Sequence, residues 1–357
     1  MSHADQPPAV RLSEPGEIAA ALPYLIGFQP RESLVVVSLR GSTGEFGLTA
    51  RIDLPPAEHR PPVLGGLVRS VGTDRPGAVL LLVVSEEDDP PAGPTGATDL
   101  PHRDLPHRDL VHEAVLAFDA AGVAVRQALL VRRERWWSYD CPRPCCAPEA
   151  GTPLPAGDSP LAAAGALTGQ VVVADRAALV RRIAPVGFLA AAGMARACDE
   201  VGDDLARRSA EHGWDVVVEE GWAAVLAAVE AHSPGSVERL TDRQVARLAW
   251  GLRDVDLRDR ALALALGRSA AAAEAVWTDL TRRAPAPLDA APATLLAVTA
   301  WVRGDGAMAN VALERALSSE PSYTFALLLR RALDACMRPD EVRRLIRATC
   351  GPADARG

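Results

Sequence analysis

The run Val79-Leu80-Leu81-Leu82-Val83-Val84 constrains this chain most, because it is apolar throughout with no polar residue on either alternating face. A strand with one solvated face alternates, so an unbroken apolar run is expected of a central strand covered on both sides. It is far too short to cross a bilayer as a helix. Ahead of it, Val63, Leu64, Leu67, Val68 and Val71 have the spacing of one helical face. Earlier still, the β-branched run Leu34 to Leu39 closes at Arg40-Gly41, and Phe46 to Leu54 forms a second extended segment that ends at Pro55-Pro56. The intervening Gly41 to Gly44 is a turn signal, which predicts an antiparallel pair. Strand, helix and strand in that order predict a right-handed crossover within one sheet.

The pattern continues with a helix carrying Leu110, Val111, Ala114, Val115 and Phe118, closed by Gly122, and a strand from Val123 to Arg132. A further strand at Val171 to Val173 and a helix from Arg176 to Ile183 complete an α/β domain, a mixed sheet covered by helices, over residues 10–185. Asp88 to Thr98 is rich in Pro, Gly and Asp and is expected to be an exposed loop. Leu100-Pro-His-Arg-Asp104 is then repeated as Leu105-Pro-His-Arg-Asp109, and His112 keeps the five-residue spacing. Five residues turn a helix through roughly 500°, so these histidines do not share a face, and a duplicated surface loop is expected rather than a metal site.

Past Pro185 the period becomes helical. Helices are expected at Gly187 to Arg208, Gly221 to Ala231, after the capping-box signature Thr241-Asp-Arg-Gln244, and at Leu257 to Leu266, Ala270 to Arg282, Ala291 to Arg303, Ala307 to Leu317, Tyr323 to Ala335 and Pro339 to Thr349. Short connections make successive helices antiparallel, giving an all-helical C-terminal domain of hairpins over residues 186–350. Within it, Ala309, Ala316 and Pro321 match the second helix and closing turn of one tetratricopeptide-like hairpin at 291–335. With 48% hydrophobic but only 4% aromatic residues, the core must be built from Ala, Leu and Val in closely approaching elements.

A net charge of −8 opposes a role in coating nucleic acid or an acidic membrane, both of which need a positive field. Met1 to Val10 has no basic stretch followed by an apolar run, so no signal peptide is expected. Six cysteines in 357 residues do not make a disulfide scaffold, and a reducing, cytoplasmic setting is expected.

The densest concentration of unusual residues is Arg135-Trp-Trp-Ser-Tyr-Asp-Cys141-Pro-Arg-Pro-Cys145-Cys146. Its prolines place the cysteines on a turn beyond an aromatic stretch. Three readings are open: thiols packed beneath Trp136 and Trp137, a metal site of Cys141, Cys145 and Cys146 with zinc as the ion, or a redox centre near Arg135 and Arg143. A zinc site would need a further ligand from Asp140, a distant residue or a second subunit. Elsewhere no Gly-x-Gly-x-x-Gly, Gly-Lys-Ser/Thr, His-Glu-x-x-His or Gly-x-Ser-x-Gly motif occurs. Asp53, at a strand end, is the best lone carboxylate, and Arg51 and Arg135 are candidates for an anionic ligand. A cleft near Asp53, Arg135 and Cys141 would make the protein a small-molecule binder or enzyme. Trp301 is expected in the core or at an interaction surface.

Four segments together carry a resemblance: Leu25-Ile-Gly-Phe-Gln-Pro30 with Ser33-Leu-Val35, Arg51-Ile-Asp-Leu-Pro55, Arg135-Trp-Trp-Ser-Tyr139 with Cys141 and Cys145-Cys146, and Trp301-Val-Arg-Gly-Asp-Gly306 with Ala309 and Ala316-Leu317. The chain resembles the actinobacterial family of unknown function DUF4192 over nearly its whole length. The resemblance implies a bacterial cytosolic setting and the same two-part plan, and it supplies no mechanism. The expectation is a non-enzymatic interaction or regulatory protein with a protein partner or a second copy of itself, acting on neither nucleic acid nor membrane.

Overall fold

The apolar run lies in β3 (Ala78–Val84), every residue of which is buried. In the computed structural model, residues 14–41, 44–88, 105–147, 149–155, 172–232 and 239–349 are described. The chain divides into two compact units, Met1–Arg176 and Ala177–Gly357.

In the first unit β3 is flanked by β1 (Ser33–Arg40) and β4 (Ala124–Arg132), with β2 (Glu45–Asp53) beyond β1, and β5 (Arg135–Ser138) and β6 (Thr152–Pro153) beyond β4. The sheet order is β2-β1-β3-β4-β5-β6. The β3–β4 pair is parallel and the other pairs are antiparallel, so the sheet is mixed. Helices α1 (Pro15–Ile26), α2 (Arg60–Gly72) and α3 (Arg108–Ala120) cover it. Alternate residues of β3 serve two cores. Val79, Leu81 and Val83 pack with Leu64, Leu67 and Val71 of α2 and Leu110, Ala114 and Phe118 of α3. Leu80, Leu82 and Val84 pack with Ile18, Ala19 and Leu22 of α1. Two covered faces are why the run shows no alternation, and each fully buried Leu or Val contributes about 1.5–3 kcal/mol.

Several elements differ from the sequence expectation, β5 and β6 among them, where no strand is expected. Helix α1 is not anticipated from the sequence: its interior Pro23 reads as a breaker, yet it starts at a Glu14–Glu17 capping box, Glu14 N donating to Glu17 Oε2 at 3.2 Å, with Pro15 in its first turn, and Gly27 closes it in a left-handed conformation by donating its N–H to the Pro23 carbonyl at 2.8 Å. Of the strand expected at Val171 to Val173, Val171 lies outside the described residues and Val173 makes an isolated parallel bridge to Phe28. The first pentapeptide of the histidine duplication also lies outside them.

Helix α4 (Arg176–Arg182) crosses the division between the units. The second unit continues with α5 (Phe188–His212), α6 (Trp214–Ala231), α7 (Asp242–Gly251), α8 (Val255–Leu262), a 3-10 turn at Ala263–Leu266, α9 (Ala270–Arg283), α10 (Ala290–Arg303), α11 (Gly306–Ser319), α12 (Thr324–Asp334) and α13 (Pro339–Thr349). The capping box forms as its spacing demands: Thr241 Oγ1 accepts from Gln244 N at 3.3 Å, and Thr241 N donates to Gln244 Oε1 at 2.8 Å. Helix α6 begins ahead of Gly221 because Trp214 anchors its first turn, donating Nε1–H to Asp254 Oδ2 at 2.8 Å. Helix α10 is the axis of this unit, buried at every position from Ala290 to Val302. An all-round apolar helix needs neighbours on every side, and its alanines permit their close approach. Ala309 and Ala316 of α11 are fully buried, as is appropriate for small residues at a helix crossing. Trp301 is core, 3% exposed, and its Nε1–H is satisfied by the Met337 carbonyl at 3.2 Å.

Candidate functional site

The cysteine segment begins at a two-residue hairpin between β4 and β5, where Arg133 and Glu134 both take positive φ, as a primed turn requires. Strand β5 then turns its adjacent tryptophans to opposite faces. Trp137 joins the core under α2 and α3, and Trp136 packs with the core under α1. Tyr139 continues into the first of these cores, its hydroxyl donating to the Pro106 carbonyl at 2.6 Å. Burial raises its pKa well above the ordinary tyrosine value, against the opposing charges of Arg108 and Arg132.

Beyond Tyr139 the chain turns through Cys141-Pro142-Arg143 into a 3-10 turn at Pro144–Cys146, then returns as β6. Three side chains fasten this return. Arg135 donates Nε–H to the Ala150 carbonyl and Nη2–H to the Gly151 carbonyl, each at 2.8 Å. Trp137 donates Nε1–H to the Ala147 carbonyl at 3.0 Å, while Gly151, at φ +60°, lies directly against the indole. Arg132 is stacked over the same indole, 5.0 Å from the ring centre, and bonds the Glu87 carbonyl at 2.8 Å.

The fastening brings together the three thiols singled out in the sequence. Cys141 Sγ is 3.9 Å from Cys145 Sγ, which is 4.0 Å from Cys146 Sγ, and all three lie within 4.8 Å of one another. Cys145 is exposed, Cys141 half-buried and Cys146 buried. Two of the sulfurs accept backbone amides: the Arg143 N–H lowers the Cys141 pKa, helped by the neighbouring thiols and the Arg143 charge, and the Ser138 N–H reaches Cys146 Sγ at 3.3 Å. Burial nevertheless pushes the Cys146 thiol up to about 12. Three soft donors with amide support could hold a metal ion. No fourth His, Cys, Asp or Glu joins the group among the described residues.

Asp53 and Arg135 are not brought into one cleft. β2 and β5 are separated by β1, β3 and β4, so four strand spacings of about 4.8 Å put them roughly 19 Å apart. Asp53 instead pairs with Arg51 at 2.6 Å on the sheet edge, with its own side chain 85% exposed. Arg51 also donates Nε–H to Ser33 Oγ at 2.8 Å and lies over the Phe28 ring at 5.9 Å. The guanidinium of Arg135 serves loop carbonyls.

A second polar cluster had no signal in the linear sequence. Ser85, buried just past β3, donates to Glu32 Oε2 at 2.8 Å and meets His107 Nε2 at 3.0 Å; the same Nε2 is 3.0 Å from Glu87 Oε2. Glu32 and His107 both have positive φ. This is no nucleophile triad: a relay needs the serine and the acid on different imidazole nitrogens, and here both face Nε2. The cluster pins the entry to α3 against the end of β3.

A mixed sheet between helical layers, bearing a fastened loop of three thiols, and a second unit of packed helices define the class of protein. The chain belongs to the family described as Domain of unknown function (DUF4192), whose model matches residues 15–340. No curated protein and no solved structure matches the chain.

Proposed function

We propose that this is a cytoplasmic, non-enzymatic regulatory protein whose first unit carries a structural zinc centre at Cys141, Cys145 and Cys146, and whose second unit engages a partner. The carrying observation is the sulfur spacing. A Zn–S bond of about 2.3 Å sets tetrahedral S···S edges of roughly 3.8 Å. The contacts of 3.9 and 4.0 Å fit two such edges before any ion is placed. Zinc there would tie the end of β5 to the 3-10 turn, leaving one coordination position for solvent or an incoming donor. The cysteines of the described residues are free thiols, which fits a reducing, cytoplasmic setting, and no helix of the described residues is long and apolar enough to cross a membrane.

Protein purified under reducing conditions without added metal is expected to contain about one zinc per chain by elemental analysis, displacing thiol protons as it binds. The Cys141→Ser/Cys145→Ser variant is expected to lose the ion while keeping its circular dichroism. A parent protein that neither contains zinc nor takes it up removes the metal centre.

Partner binding is supported by Phe188 and Leu189 at the start of α5, 85% and 86% exposed, where large apolar side chains cost free energy if left in water. A second copy of the chain is the occupant to test first. Sedimentation should show a dimer for the parent and a monomer for Phe188→Ser/Leu189→Ser; a monomeric parent removes self-association.

A further inference from the structure

The three sulfurs differ in their freedom. Cys146 is buried in the core shared with Trp137 and Tyr139, its sulfur held by the Ser138 amide. Cys141 and Cys145 bracket Pro142-Arg143-Pro144 and reach solvent, 3.9 Å apart. Neither sulfur is part of the packed core to the depth of Cys146, so the shift from 3.9 Å to a bond of about 2.05 Å disturbs the core less for this pair than for any pair that includes Cys146. The adjacent pair is a poorer choice. Neighbouring Cα atoms stand about 3.8 Å apart, inside the roughly 4.4 Å lower limit of ordinary disulfides.

We propose that Cys141 and Cys145 are a peroxide-oxidised dithiol, a reversible modification site in which disulfide formation removes two of the three metal-binding sulfurs. The release of metal rests on the zinc reading above; the cross-link does not. The exposed Cys145 sulfur attacks hydrogen peroxide, forming an S–O bond and breaking O–O, and the departing hydroxide takes the thiol proton to leave as water. Cys141 sulfur then attacks the sulfenic acid, forming S–S and breaking S–O, with its proton leaving on the second water. Two thiols are oxidised by two electrons and one peroxide is reduced to two waters. A dithiol reductant reverses the step by exchange. Cys146 remains a thiol beneath the loop and marks the unreacted partner.

The test uses the full chain, reduced and prepared both zinc-loaded and chelator-stripped. Each is treated with hydrogen peroxide in steps, its remaining thiols are alkylated, and the segment is mapped by peptide mass spectrometry. The expected product is a Cys141–Cys145 cross-link with Cys146 alkylated, reversed by dithiothreitol. From the loaded protein, one zinc should be released per cross-link. In Cys141→Ser the cross-link is absent and Cys145 is trapped as a sulfenic acid by dimedone, a readout that folding alone does not supply. A cross-link to Cys146, or over-oxidation to sulfinic acid without any cross-link in the parent, overturns the proposal. A Cys141–Cys145 cross-link in protein that binds no zinc supports the dithiol and removes the metal centre. Bound zinc with no cross-link in the stripped protein does the reverse.

Discussion

Two glycines in the first unit allow the fastening of the thiol loop to be measured by difference. Gly122, which ends α3, and Gly151, which precedes β6, have φ of +73° and +60°. An alanine at either pays the left-handed backbone cost of about 1–2 kcal/mol. At Gly122 a Cβ meets nothing within 4 Å, so Gly122→Ala should cost only that. At Gly151 the Cβ would lie 2.4 Å from Cε2 and Cζ2 of Trp137, a buried indole that cannot swing aside. Moving it sacrifices the Nε1 bond to Ala147 and forces overpacking beneath α2 and α3, so Gly151→Ala should cost about 3–5 kcal/mol in all. With two units the chain need not unfold in one step, so native-state hydrogen exchange on peptides from β3 and β4 is the suitable assay. At tenfold per 1.4 kcal/mol, exchange through global opening of this unit should accelerate roughly 5- to 30-fold in Gly122→Ala and at least about 100-fold in Gly151→Ala. Equal acceleration in the two variants would refute the reasoning, because it would mean the indole is not held where its hydrogen bond and Arg132 place it.

Tyr139→Phe should destabilise the first unit by about 1 kcal/mol through loss of the bond to Pro106, measured by the same exchange. Because burial raises the Tyr139 pKa in the folded state, the parent's stability should be complete below about pH 10 and fall as pH rises beyond it, where the unfolded chain ionises first; the Phe variant should lack this alkaline slope. His107→Ala removes the contacts to Ser85 and Glu87 and should speed exchange at the entry to α3 by roughly tenfold, leaving α1 unchanged, if each bond is worth about 0.5–1.5 kcal/mol. In the second unit, Asp289 is fully buried, with Ser319 donating to one oxygen and Arg315 2.6 Å from the other. Asp289→Ala strands that guanidinium and should cost the second unit about 3 kcal/mol by native-state exchange on peptides of α10 and α11, whereas a change under about 1 kcal/mol would show that Arg315 finds solvent instead.

Much of the architecture was legible because it rests on local signals. The unbroken apolar run at β3, the antiparallel pairing of β1 with β2 and the Thr241-Gln244 box each depend on signals between near neighbours in sequence, and each appears in place. The site was legible only in composition. Cys141, Cys145 and Cys146 could be singled out, but their convergence depends on Arg135 and Trp137 binding carbonyls 10–16 residues away. The pairing of Asp53 with Arg135 failed for a related reason. Both lie at strand ends, and linear sequence does not state that three strands stand between them. Ser85 and His107 were illegible as partners because a long connection separates them, and the duplicated pentapeptide that holds His107 carries no sign of what its imidazole meets.

The adjacent tryptophans of β5 give the first unit an unusual mechanical property. Trp136 belongs to the layer beneath α1 and Trp137 to the layer beneath α2 and α3, so one dipeptide rivets the two layers through the sheet. The Gly16 backbone of α1 approaches the Trp136 indole so closely that an added Cβ would lie 2.8 Å from Nε1. Anything that presses α1 toward the sheet must therefore push on β5, and β5 leads directly into the thiol loop. Strain applied at the far side of the sheet has a covalent path of five residues to Cys141.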